Sequence, residues 1–315
     1  MENDTIERSF SVTAPARLRL SNIDGPVDIQ SGDDGVISVT AVKRPETGET
    51  ARTHVMIEQS PNGDVQVQTQ FGERIWGFNI GHPCAVAYTV RVPRQCSVKA
   101  RGVSSSVAMR GLTGDFTVET VSGDISLEAL AGPLQVKTVS GNLAGRQLAG
   151  VLELSTVSGV ADLADCAFPA MTANTVSGNL SARTPLSAGP YHFKTVSADV
   201  SLSVPTGTNL VAEGATLSGG LKSDLPVARR ERSGRRWRIE VGQPGLDGAN
   251  AARVTFDSLS GDLRLAHSGE AGAPQSAPAA QARPPAGQTR SDILDRVARG
   301  ELSVDEALKA LETTE

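Results

Sequence analysis

The sequence predicts an all-β fold, a two-sided parallel β-solenoid (β-helix-like) of 18–21-residue coils, with a small helical hairpin at its C-terminal end. Three observations carry that expectation. The phrase TVSG occurs at 120–123, 138–141, 156–159 and 175–178, with TVSA at 195–198, TLSG at 216–219 and SLSG at 258–261. Glycines fall at Gly114, Gly123, Gly132, Gly141, Gly150 and Gly159, nine residues apart. Within each nine, apolar residues stand two and four places after the glycine, as Phe116 and Val118 or Ile125 and Leu127 do, which is the alternation of a half-buried strand.

Each nine is therefore one short strand and one corner, and glycine turns a corner cheaply because it tolerates positive φ. Alternate corners differ, TVSG on one side and AG or its equivalent on the other, so the full repeat is two strands. In an antiparallel meander, like positions would lie two strands apart; in a solenoid they stack directly, at a spacing of ~4.8 Å. Direct stacking lets Val139 pack between Val121 and Val157, and lets the Thr and Ser columns hydrogen-bond along the ladder. That economy explains why the identities persist.

Four segments follow. Residues 1–100 hold a fainter version of the pattern, with "LRLSNIDGPVDI" around Gly25 and a hairpin around Asn62-Gly63, and form the irregular N-terminal β part. Residues 101–266 are the regular coils. The Pro/Ala/Gly-rich run 267–290 cannot form a core and reads as a flexible linker. In 291–315, Ser291 can cap a first short helix that Gly300 ends, and Ser303 with Glu306 makes a capping box for a second. So short a module needs a partner, since domains below about 40 residues rarely stand alone. Its apolar set, Ile293, Leu294, Val297, Leu302, Val304, Leu308 and Leu311, is the candidate interaction face, for a second copy or another protein.

The segments "YTVRVPRQCSVKA", "GLTGDFTVETVSGDISL" and "RVTFDSLSGDLRL" resemble the bacterial β-strand-repeat domain of unknown function known as the putative adhesin family, over roughly residues 8–266. The terminal "ILDRVARGELSVDEALKALE" is similar to the SHOCT-like short helical module that accompanies this domain in Gram-positive envelope-stress proteins, commonly at the N-terminus. The resemblance implies a scaffold in envelope-stress response or adhesin-like binding, and no catalytic motif.

Composition agrees with thin β-structure: 32 glycines and only 3% aromatics. A net charge of −5 offers no general attraction to nucleic acid, and none is expected as a partner. Three cysteines without a CxxC pair read as buried thiols in a reducing compartment. No stretch approaches the ~18 apolar residues of a membrane span. The expected location is cytoplasmic, at most peripheral to a membrane.

The position after each corner glycine reads Asp115, Asp124, Pro133, Asn142, Val151, Val160, too irregular for the six to eight oxygens calcium takes. His54, His82, His192 and His267 are scattered, and the Ser column has no His and acid beside it. No enzyme, metal or cofactor is expected. One surface segment is unusual: "ARRERSGRRWRI", in which Arg229, Arg230, Arg232, Arg235, Arg236 and Arg238 surround a turn, with Trp237 among them. It reads either as a patch for an anionic partner or, the favoured alternative, as a solvated hairpin projecting from the solenoid, its guanidiniums paired with nearby carboxylates. The function expected is a non-enzymatic scaffold for protein interaction, ahead of a self-assembling structural protein and a carbohydrate- or ligand-binding solenoid.

Overall fold

A computed structural model describes residues 4–72, 82–242 and 251–268. The helical module, with Ile293, Leu294, Val297, Leu302, Val304, Leu308 and Leu311, lies outside them. The irregular part holds β1 (Asp4–Ser11), β2 (Ala16–Asp24), β3 (Val27–Ser31), β4 (Val36–Arg44), β5 (Thr53–Gln59), β6 (Val65–Phe71), β7 (Ala85–Val92), β8 (Cys96–Ser104) and β9 (Val107–Arg110). The coils follow as strand pairs: β10 (Phe116–Thr120) with β11 (Ile125–Glu128), β12 (Leu134–Thr138) with β13 (Leu143–Arg146), and β14 (Leu152–Ser158) with β15 (Ala161–Ala164). Next come β16 (Met171–Ser177) with β17 (Leu180–Arg183), β18 (Pro190–Ser197) with β19 (Val200–Val204), and β20 (Leu210–Ser218) with β21 (Leu221–Ser223). The hairpin β22 (Val227–Ser233) and β23 (Arg236–Val241) precedes the last pair, β24 (Ala252–Ser260) and β25 (Leu263–His267).

These strands form two facing sheets, of 12 and 13 strands, and the solenoid expectation holds. The first strand of each coil joins the 13-stranded sheet and the second the 12-stranded one. Within the coils the pairing is parallel and in register: Phe116 lies beside Leu134, Leu134 beside Leu152, and Leu152 beside Met171. The core is therefore a stack of like residues. Val118, Val136 and Leu154 line one sheet while Ile125, Leu143 and Ala161 line the other, all at most 5% exposed. Outward residues alternate with them, as Ser126, Ala144 and Asp162 do.

The order of coils departs from the order of the sequence at both ends. Strand β24 sits between β18 and β20, so the late SLSG corner stacks between TVSA and TLSG. The cause is the hairpin: β23 pairs antiparallel with one edge of β20, leaving the other edge for β24. Likewise β2 and β3 insert between β8 and β9 on one side and β6 and β7 on the other. Antiparallel strands close both ends. At the N-terminal end β5 lies on β6, β4 on β7 and β1 on β4, with the expected turn at Asn62-Gly63. At the C-terminal end β23 lies on β20 and β22 on β23. No helix among the described residues is long and apolar enough to cross a membrane.

Candidate functional site

The TVSG corner joins the two sheets, and each of its letters has a mechanical reason. The Thr column is buried, and the hydroxyls of Thr120 and Thr138 accept the N–H of Gly123 and Gly141 at 3.1 and 3.0 Å, closing the turn. The Ser122 and Ser140 hydroxyls each donate at 3.3 Å to a carbonyl of the preceding coil, Val103 and Val121. A Cβ on Gly123, Gly141 or Gly178 would lie 1.8, 2.1 or 2.0 Å from the carbonyl oxygen of the corresponding residue one coil earlier. Gly123 and Gly141 are not in the left-handed region. Close approach of the neighbouring backbone, more than conformational freedom, demands glycine there.

The next residue builds a ladder that sequence reasoning missed. The Asp124 Oδ1 accepts the Asn142 N–H at 2.9 Å, and the Asn142 Oδ1 accepts the Val160 N–H at 3.0 Å. Farther along, the Asp199 Oδ1 accepts the Asp262 N–H at 2.8 Å and the Asp262 Oδ1 accepts the Gly220 N–H at 2.9 Å. The Asp and Asn side chains weighed as calcium ligands thus tie coil to coil.

The Val column changes character along the stack. Val121, Val139 and Val157 are 3%, 0% and 5% exposed, packed outside the main core cluster, whereas Val176, Leu259 and Leu217 are 38%, 52% and 52% exposed. β10 and β12 end at the Thr and from β14 onward the strand runs on to the Ser, but Val157 of β14 is still buried, so the exposure begins only at β16. On these longer strands the hydroxyls of Thr156, Thr175 and Thr216 find no hydrogen-bond partner among the described residues, while that of Thr195 lies 2.9 Å from the Ser258 hydroxyl. The result is an apolar ridge along the C-terminal half of this corner.

The arginine segment forms the last two strands of the 13-stranded sheet rather than a projection from it. On its outer face Arg229 pairs with Glu231 at 2.6 Å, and Arg238 pairs with Glu213 at 2.7 Å and Glu240 at 3.4 Å. Arg232 donates from Nε to the Gly234 carbonyl at 3.4 Å. Arg230, Arg235 and Arg236 are exposed and have neither ion pair nor side-chain hydrogen bond among the described residues. Trp237 does not belong to the exposed patch. It alternates with Ile239 and Val241 on the core side, is 8% exposed and lies 6.4 Å from Phe256 between ring centroids. Gly214 makes room for it, since a Cβ there would meet the indole at 2.4 Å. The indole Nε1 has no partner among the described residues. A cleft of about 480 Å³ is lined by Trp237, Arg232, Arg236 and Arg238 and also by the acidic residues Glu213, Glu231 and Asp257.

Elsewhere the chemistry is quiet. All three cysteines are free and buried, and burial pushes the Cys96 thiol up to about 12 and raises that of Cys166 as well. Such thiols are held protonated and poorly nucleophilic. Glu119, 5% exposed, is a buried carboxylate neutralised by Arg101 at 2.7 Å and Lys99 at 3.9 Å. Among the described residues no group of three or more His, Cys, Asp or Glu side chains is placed to hold a metal ion.

Residues 16–266 match the family described as Toastrack DUF4097. Solved structures to which the chain is similar include the following three. One is a putative adhesin from Bacteroides fragilis, at 12% identity, covering 83% of this chain and 97% of that one, with a TM-score of 0.47. A putative adhesin from Parabacteroides distasonis shares 10% identity over 84% and 98% of the two chains, with a TM-score of 0.42. A putative lipid binding protein from the same organism shares 10% over 82% and 96%, with a TM-score of 0.37. No curated protein matches.

Proposed function

The chain belongs to the Toastrack DUF4097 family, and on that premise we propose that it is a non-enzymatic scaffold for protein interaction in a bacterial envelope-stress response. One observation carries the reading: the apolar ridge of Val176, Leu259 and Leu217, whose side chains stand in water on a rigid corner. An exposed apolar strip marks an interaction surface. Leu217 and Leu259 stand on adjacent strands ~4.8 Å apart and half-buried Val196 lies between Leu259 and Val176, which suits a partner that lays its own apolar side chains along the corner. Beside the ridge the Asp199 and Asp262 carboxylates bond the backbone of the next coil, and the Thr175 and Thr216 hydroxyls are buried beneath it, so the ridge offers apolar contact. Support for the envelope setting comes from the likeness of residues 291–315 to the SHOCT-like module.

The test is site-specific photo-crosslinking in growing cells, from exposed positions 197 and 218 on the ridge and from position 126 on the other sheet. The reading expects one defined protein partner at both ridge positions and none at 126, with capture lost in a Leu217→Glu/Leu259→Glu variant that melts normally. Equal capture by that variant, or binding to a glycan array in place of a protein, overturns it. Scattering that grows with concentration would instead favour self-assembly.

A further inference from the structure

We infer that the arginine hairpin β22–β23 is a docking site for the acidic C-terminal segment of the same chain, residues 291–315. Residues 227–241 hold six arginines and two glutamates, a net charge of +4 (6 − 2), in a chain whose net charge is −5. Residues 291–315 hold seven acidic and three basic residues, a net charge of −4 (3 − 7). The two segments match in magnitude and oppose in sign.

The hairpin also presents unused donors. Arg229 is paired with Glu231 inside the hairpin and Arg238 with Glu240 inside it and Glu213 of β20, but Arg230, Arg235 and Arg236 have no such partner among the described residues. Trp237 is more than nine-tenths buried, lines the adjacent cleft, and carries an Nε1 without an acceptor among the described residues. Guanidinium and indole N–H groups are donors only, so the occupant must bring acceptors, and carboxylates suit them best. Strand β22 is the terminal strand of its sheet, so one backbone edge is open to the occupant as well.

Position favours this chain's own segment over a second copy. The described chain ends at Ser268, just past β25, which pairs with β21, and β21 leads directly into the hairpin. Ser268 and the arginines therefore share one end of the solenoid. The 22 residues from 269 to 290 separate Ser268 from the acidic segment. A Pro/Ala/Gly-rich tether of that length spans about 25 Å or more, against a strand spacing of ~4.8 Å. The acidic segment is thereby held at an effective concentration in the millimolar range, which a second copy reaches only in concentrated solution.

Amide hydrogen exchange on the full chain tests the docking. At low salt, amides of 227–241 and of 291–315 should both be protected, and both should exchange roughly tenfold faster in Arg230→Glu/Arg235→Glu/Arg236→Glu or in high salt. Amides of β10 to β16 serve as the control for folding. Asp305→Lys/Glu306→Lys/Glu312→Lys, which leaves the sequence of the solenoid unchanged, should lose the same protection alone and restore it when combined with the arginine triple. Protection that is insensitive to either triple overturns the inference. So does protection that rises with protein concentration, which assigns the site to a second copy, or that appears only with vesicles of anionic lipid.

Discussion

Gly141 has a carbonyl oxygen 2.1 Å from where its side chain would begin, and such a distance separates corner glycines like Gly123, Gly141 and Gly178 from Gly220, where the space is open. Gly141→Ala should cost about 3 kcal/mol, since the obstruction is backbone and cannot swing aside. Gly220→Ala, which meets nothing within 4 Å, should stay within about 0.5 kcal/mol. Urea denaturation of the two variants checks this, and equal losses would refute the close-approach account. The glycine period was plain in the sequence, but its cause was not, because it lies in a residue eighteen positions away in the chain. Trp237 is the opposite case. Its alternation with Ile239 and Val241 was legible, and the density of arginines around it masked the signal.

At the scale of the element, strands were readable because alternation is a local property, whereas the Asp/Asn ladder depends on register between coils. The ladder gives the terminal coil a pH dependence. Lys222, hydrogen-bonded to its carboxylate, holds Asp262 below the usual carboxylate range; partial burial opposes this and the Gly220 N–H assists. A depressed folded pKa means that the contribution is complete above the unfolded value of about 3.9 and is lost as pH falls through the folded value. Acid should therefore loosen β21 before the inner coils. Lys222→Met should raise the Asp262 midpoint and move that loosening to higher pH, as read by carboxyl NMR titration and by exchange of the β21 amides. A midpoint that does not move would remove Lys222 from the account.

The solenoid as a whole was legible from repetition, but the order of its coils was not, because coils that share one register can trade places. Thr216 matches Ser258 as well as Ser258 matches Thr195, and only the fold-back of β23 onto β20 decides which neighbours which. The same fold-back leaves β22 as the terminal strand of a 13-stranded sheet. An open edge on so regular a stack is a template for end-to-end growth. Every residue of β22 after Val227 is exposed, and charges on Arg229, Arg230, Glu231 and Arg232 oppose the approach of a like edge. On this argument the arginines also keep the stack finite. Arg229→Thr/Arg230→Val/Arg232→Thr should leave the circular dichroism of the solenoid unchanged while light scattering grows with concentration, and the unmodified chain should stay monomeric over the same range. A variant that remains monomeric would show that the antiparallel closure alone suffices to stop growth.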